Sequence, residues 1–382
     1  MRSYVQQPQG YRAFVPAPLP PDPPVRMDRE MQRLLSRADG ELGRLDGVAS
    51  VVPNPDLFVA TYVRHEAVLS SQIEGTRSTL EDVLEYEAEG ASPRQPADVE
   101  EVVNYVAAMN HGLRRLGELP LSLRLIREVH ARLMERVRGS ERSPGEFRRS
   151  QNWIGPPGCT LAQARFVPPP PHEMERALHD FERFLHDRES LPVLIHAGLA
   201  HAQFETIHPF LDGNGRVGRL LITLLLCERQ VLRLPLLYLS LYLRIHRAEY
   251  YDRLTAIHAD GDREGWLKFF LRGVAEVSRK ATDTARGILD LRERHRDLLA
   301  GKATPLVLLD HLFRQPILSV RLAEERLGCS YVTAAKAIRE LERLGLIREI
   351  TGRKRDRLYL YDEYLGLFRQ PGAGSFLVDA TP

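Results

Sequence analysis

The chain has 382 residues, 43% hydrophobic and 27% charged, which suits two or three domains with buried cores and excludes a chain disordered throughout. Its 53 Lys and Arg stand against 51 Asp and Glu, so no global charge argues for nucleic acid and any basic surface must be local. Only five of the cations are lysines, the first being Lys268, and no GxxxxGK[ST] loop occurs, which excludes the P-loop and the protein kinase devices upstream of that point.

The first residues, MRSYVQQPQGYRAF, lack the apolar core of a secretory leader, and the leucine-rich run after Arg219 is interrupted by Glu228, Arg229 and Arg233. Neither secretion nor a membrane span is expected. Cys159, Cys227 and Cys329 are widely scattered, which fits a reducing, cytoplasmic compartment rather than a disulfide framework or a cysteine zinc cage. PAPLPPDPP, residues 16–24, predicts an extended arm lying on the fold.

From Arg26 the spacing of apolar residues at three and four predicts one helix after another: MDREMQRLLSRADGELGRL, DLFVATYVRHEAVLSSQIE, VEEVVNYVAAMNHGLRRL and LRLIREVHARLMERV. Within this run Gly75 is suited to end a helix in the left-handed conformation, and Ser78-x-x-Glu81 reads as the capping box of the next one. Glu74 then falls in a last turn, where its charge opposes the helix dipole and calls for a cation from elsewhere. Between Glu146 and Glu175 glycine, proline and aromatic residues replace the helical period. The pieces around Trp153-Ile154 and Phe166-Val167 predict a small β-hairpin flap. Helices resume in MERALHDFERFL, LIHAGLAHAQFETI and LLITLLLCERQ. After Ala300, TPLVLLDHLF, SVRLAEERLG and SYVTAAKAIRELERLG predict three short helices and LIREITGRKRDRLYLYD two strands around a basic turn, the order of a winged helix-turn-helix over 300–370.

IHPFLDGNGRVGR, Ile207 to Arg219, concentrates the chemistry. Gly213-x-Gly215-x-x-Gly218 satisfies the dinucleotide pattern GxGxxG, but a Rossmann turn requires a buried strand before its first glycine and HAGLAHAQFETI has helical spacing. What remains is helix, short loop and a second helix starting near Asn214 to Arg216, whose free N–H groups form an anion site. Gly213 and Gly215 let the backbone approach phosphate oxygens, and Arg216 and Arg219, three apart, are expected on one face of the helix. His208 at the mouth is a candidate proton acceptor, and Asp212 beside a polyphosphate a candidate Mg²⁺ ligand. A metal hydrolase using His196, His201 and His208 is a weaker reading, because spacings of five and seven miss the i, i+4 pairing of helical zinc ligands.

His208 to Arg219 resembles, without a mismatch, the HPFxDGNGRxGR signature of the Fic family, and the likeness extends over roughly residues 10 to 290. That resemblance implies a mainly α fold with the flap, ATP as co-substrate with Mg²⁺, and transfer of AMP to Ser, Thr or Tyr hydroxyls of target proteins and of the chain itself. It implies His208 as general base, Asp212 on magnesium, and Gly213, Asn214, Gly215, Arg216, Val217, Gly218 and Arg219 around the phosphates, with Arg219 on the terminal one. Phe210 would anchor the core, and the hairpin between Asn152 and Pro168 would align the target segment. Tyr250 and Tyr251 occupy the place where the family contacts the nucleoside, although core packing is an equal role for one of them. Ser70, Glu74 and Gly75 match the family's inhibitory pattern [S/T]xxxE[G/N], which implies that Glu74 pairs with Arg219 in place of the terminal phosphate, within one chain or modulated by a homodimer. The likeness implies an N-terminal region with this motif over 1–110, a catalytic core over 111–290 and the winged helix beyond. The family also includes members that remove AMP or transfer UMP or phosphocholine. A reading of another class is a DNA-binding regulator: Tyr331, Thr333, Lys336 and Arg339 on the recognition helix and Gly352-Arg353-Lys354-Arg355-Asp356-Arg357 as a basic wing, with protein docking as its competitor.

Overall fold

The fold is that of a computed structural model, which describes residues 3–51, 56–90, 95–156 and 158–369. Pro157 of the expected flap and residue 370 of the expected C-terminal domain lie outside the described residues. In chain order come β1 (Ser3–Gln6), β2 (Arg12–Val15), α1 (Arg29–Val51), α2 (Asp56–Ile73), α3 (Leu80–Glu89), α4 (Val99–Arg115) and α5 (Leu123–Leu133). They are followed by α6 (Pro171–His186), α7 (Val193–Ile207), α8 (Asn214–Glu228), α9 (Ser240–Ile245), α10 (Arg247–Ala259) and α11 (Arg263–Leu298). The last are α12 (Ala303–Arg314), β3 (Ile317–Ser319), α13 (Val320–Leu327), α14 (Tyr331–Arg343), β4 (Arg348–Glu349), β5 (Leu358–Leu360) and α15 (Asp362–Gly366).

Two compact units result. One takes residues 1–49, 62–78 and 96–281, the other 50–61, 79–95 and 282–382. In the first, α7 and α8 bury nearly every side chain, as helices that are apolar all round must, and α4 and α5 pack as a neighbouring pair. The loop joining α7 to α8 is therefore held from both ends by buried helices.

The flap is smaller than the sequence predicts. Its pairing is reduced to one antiparallel bridge, Ile154 with Phe166, closed by Ile154 N–H to Phe166 O at 2.9 Å and Phe166 N–H to Ile154 O at 3.1 Å. Prolines flanking both arms, Pro156 and Pro168 to Pro171, offer no N–H to extend a ladder. A hairpin that the sequence reading missed lies before the proline-rich arm: β1 pairs with β2, Tyr4 opposite Phe14. Phe14 N–H donates to Val167 O at 2.9 Å, so this hairpin supports the flap. The arm bends at residues 19–20 and 22–23 instead of running straight, and it accepts a hydrogen bond from Gln203 Nε2 at Ala17 O, 3.0 Å.

The capping box before α3 lies one residue later than expected. Thr79 caps the helix and exchanges hydrogen bonds with Asp82, while Ser78 is captured by the carboxylate of Asp98.

In the second unit the three expected helices and two expected strands are present, and β3, between α12 and α13, adds a strand that the sequence does not predict, in a three-stranded sheet ordered β3-β5-β4. Ser319 caps α13 through Leu322 N–H and Ser330 caps α14 through Thr333 N–H. Ala334, Ala337, Ile338 and Leu341 form the buried face of α14, which leaves Tyr331, Val332, Lys336 and Arg339 exposed.

Candidate active site

α7 ends at His208, which adopts a left-handed conformation at φ 49°, and α8 starts after Gly213, left-handed at φ 74°. Between them Phe210 is fully buried and stacks on His130 of α5 at 3.7 Å. The loop is tied from within by Asn214. Its Oδ1 accepts from Phe210 N–H at 2.9 Å and its Nδ2 donates to Phe210 O at 2.8 Å. Asn214 thus contributes its main chain, not its side chain, to the helix N-terminus. The loop is tied from outside by His130, whose Nδ1 accepts from Gly145 N–H at 2.8 Å, so that Nε2 carries the hydrogen donated to Asp212 O at 3.1 Å. Burial lowers the His130 pKa to about 4 and keeps that tautomer neutral.

His208 Nδ1 lies 3.3 Å from Glu205 O. A carbonyl only accepts, so Nδ1 bears the hydrogen and the lone pair is on Nε2. Burial, reinforced by the Arg148 cation, lowers the His208 pKa to about 4. The ring is therefore a neutral acceptor at pH 7.

Val217 N–H already bonds Gly213 O at 3.0 Å, which leaves the N–H groups of Asn214, Gly215 and Arg216 as the first turn of α8, where the dipole favours an anion. The anion present is Glu74. Its Oε1 accepts from Arg219 Nη2 at 2.6 Å, and a Cβ added to Gly215 would meet the same oxygen at 2.3 Å. Gly215 is the residue that clears space over this backbone, and the carboxylate from the end of α2 fills it. Burial acts to raise the Glu74 pKa, but the charge and hydrogen bond of Arg219 outweigh it and hold the carboxyl below its ordinary range. Arg219, only 1% exposed, also donates from Nε to Ser70 Oγ at 2.8 Å and from Nη2 to Ser70 O at 3.0 Å. Gly75, at φ 100°, follows Glu74 and ends the helix.

The two arginines do not share partners. Arg216 is buried and donates to Glu101 of α4 at 3.0 Å, with Asp212 Oδ1 at 3.9 Å, whereas Arg219 faces α2. Nothing in the sequence around Glu101 marks it as the partner of Arg216. Val217 packs in the core, and Gly218 makes room for Glu205, whose Oε1 would lie 2.4 Å from an added Cβ. Asp212 is one-third exposed at the mouth, with its Oδ1 accepting from Gly213 N–H at 2.6 Å. Of the tyrosines, Tyr250 is buried and hydrogen-bonded to His201 Nε2 at 2.8 Å, while Tyr251 is 40% exposed with Arg247 over its ring. The three histidines of the hydrolase reading do not converge: His196 bonds Phe184 O and His201 bonds Gly218 O and Tyr250. No group of three or more metal-ligating His, Cys, Asp or Glu occurs among the described residues.

The site is thus a neutral imidazole beside the N-terminus of a buried helix, with a carboxylate over that N-terminus. Comparison with known proteins gives this class a family. The Fic/DOC family N-terminal model matches residues 32–114 and the Fic/DOC family model residues 120–226, so these two stretches of the chain are Fic/DOC family domains. It is 32% identical over 166 residues to the protein adenylyltransferase Fic of Aedes aegypti, covering 43% of this chain and 29% of that protein. With the protein adenylyltransferase Fic of Drosophila grimshawi it shares 30% over 168 residues, 44% of this chain and 30% of that protein. The chain therefore spans less than a third of the length of these relatives. The solved structure of a Fic family protein from Desulfovibrio desulfuricans G20 matches in fold, with a TM-score of 0.59 and 20% identity over 88% of this chain and 97% of that one.

Proposed function

We propose that the chain is a protein adenylyltransferase held inactive by Glu74. The observation that supports this reading is the Glu74 carboxylate, which pairs with Arg219, lies over Gly215 in the first turn of α8 and acts electrostatically on His208. Nε2 takes the proton of a Ser, Thr or Tyr hydroxyl as its oxygen attacks the α-phosphorus of ATP. The bond to the β-phosphate bridging oxygen breaks, pyrophosphate leaves, and AMP remains on the target. The N–H groups of Asn214, Gly215 and Arg216 stabilise the charge that develops on the phosphoryl oxygens. Arg219 holds the terminal phosphate once Glu74 withdraws, and Tyr251, the more accessible tyrosine, faces the nucleoside. The exposed flap, whose Ile154 main chain is already bonded to Phe166, aligns the target segment along its outer side at Trp153. Asp212, with its carboxylate one-third exposed at the mouth, would hold Mg²⁺, which would supply neutralisation of the phosphate charge.

The test is incorporation from α-labelled ATP by the wild type, by Glu74→Gly, and by Glu74→Gly with His208→Ala. Glu74→Gly is expected to raise labelling at least about tenfold, since misplacement by an ångström costs on the order of a hundredfold. The histidine change is expected to abolish it. Equal labelling of wild type and Glu74→Gly at matched Mg²⁺ would sink the brake. Label from UTP or another donor instead of ATP would move the activity elsewhere in the family, and release of AMP from a modified target would make the site a de-AMPylase.

A second reading rests on the second unit, where Tyr331, Val332, Lys336 and Arg339 are exposed on α14 and Lys354, Arg355 and Arg357 are exposed on the turn between β4 and β5. A winged helix offering these groups suits duplex DNA. The full chain is expected to shift duplex DNA with an affinity that falls steeply with salt. Absence of a shift at low salt assigns the face to protein docking. Three free thiols suit a reducing, cytoplasmic setting for both activities.

A further inference from the structure

Arg148, in the segment that leads from α5 into the flap, is only 3% exposed, and no carboxylate pairs with it among the described residues. A buried cation without a counter-charge is costly unless its donors are satisfied. Here they are satisfied by main-chain carbonyls alone. Nε donates to His208 O at 3.0 Å, Nη1 to Ser150 O at 3.1 Å, and Nη2 to Pro169 O at 2.5 Å and Ile207 O at 3.5 Å. Its own N–H donates to Pro209 O at 2.9 Å. Ile207 and His208 carry carbonyls at the C-terminus of α7, where the dipole favours a cation, and His208 is the residue forced to positive φ. Ser150 and Pro169 bracket the flap. Asn152, inside the flap, adds hydrogen bonds from Nδ2 to His208 O at 3.3 Å and Phe210 O at 2.9 Å.

We propose that Arg148 is a positioning residue: its guanidinium clamps the left-handed His208 peptide to both ends of the flap, so that the base and the target-aligning edge share one register. The inference rests on the reading of His208 as proton acceptor. Only a planar fork with several fixed N–H directions can span these carbonyls, so lysine is not its equivalent. The clamp has an electrostatic consequence for the imidazole. Arg148 opposes protonation of His208, while Glu74 from the end of α2 and Asp212 from the loop favour it.

The test uses the full chain carrying Glu74→Gly, with Arg148→Met and Arg148→Lys added separately. Transfer is measured against ATP concentration from about pH 4 to 8, and the His208 ring is titrated by NMR over the same range without nucleotide. Arg148→Met is expected to lower kcat roughly a hundredfold, the size of an ångström-scale misplacement, with KM for ATP changed less than about threefold. Removing the cation raises the ring's pKa, so the acid limb of the rate profile moves to higher pH. Arg148→Lys is expected to return the ring's titration towards the parent while leaving kcat at least about tenfold down. Full kcat in a folded Arg148→Met protein overturns the clamp, and so does a ring that titrates as in the parent. Should Arg148→Met fail to fold, Arg148→Lys decides alone, a retained kcat counting against the proposal. If the parent transfers no AMP, the adenylyltransferase reading fails, and the ring titration still decides the clamp.

Discussion

Asn214 lies in the middle of a phosphate-binding pattern, yet its amide is occupied in both directions by the main chain of Phe210. Its contribution is to the shape of the loop before any ligand arrives. Phe210 O has a second donor in Asn152 Nδ2, but Phe210 N–H is buried and loses this acceptor when Asn214 is truncated. Asn214→Ala is therefore expected to reduce the unfolding free energy of the nucleotide-free protein by about 2 kcal/mol, the cost of a buried donor left unpaired. Chemical denaturation reads this directly. Unchanged stability would return Asn214 to a role towards ligand alone. Gly215 makes the complementary point, since the space above it is filled by Glu74 rather than by a side chain of its own.

At the scale of elements, the helices that carry the site were legible because their apolar spacing and stop signals agree. The end of α2 at Ile73, with Glu74 and left-handed Gly75 beyond it, follows from the glycine and from the helical period before it. The α7–α8 loop was legible because Pro209 and Gly213 interrupt the helical spacing there. Its supports were not. Arg148 in a loop reads as a solvated charge, and nothing local announces that it will collect carbonyls from residues 150, 169, 207 and 208. His130 did leave a signal, since it shares the buried stripe of α5 with Ile126, Val129 and Leu133. A histidine on that stripe needs two partners, and only the fold shows that they are Gly145 and Asp212. The one-residue slip at α3 has the same origin. Ser78 and Thr79 are equivalent as caps until Asp98, twenty residues away, captures Ser78. The hairpin of β1 and β2 escaped notice because its strands are only four residues long.

For the molecule as a whole, the unit that holds the site buries ionisable groups of both kinds, and their balance sets its response to pH. Burial lowers the pKa of His65, His130, His201, His208 and His258 to about 4, and raises that of Glu66 and Glu205 to about 7. A depressed histidine contributes stability that is present above its unfolded value of 6.5 and is lost as pH falls towards 4. A raised carboxyl contributes stability that is present below 4.5 and is lost as pH rises towards 7. Between 4.5 and 6.5 the two sets oppose each other, and five histidines outnumber two carboxyls. Unfolding in that window takes up protons on balance, each net proton weakening the fold by about 1.4 kcal/mol per pH unit of acidification. The thermal midpoint is therefore expected to fall by several degrees between pH 7 and pH 5.5, read by calorimetry at constant ionic strength. A midpoint that stays level or rises would mean that these imidazoles accept protons without unfolding, which would contradict a His208 held as a neutral base by its surroundings.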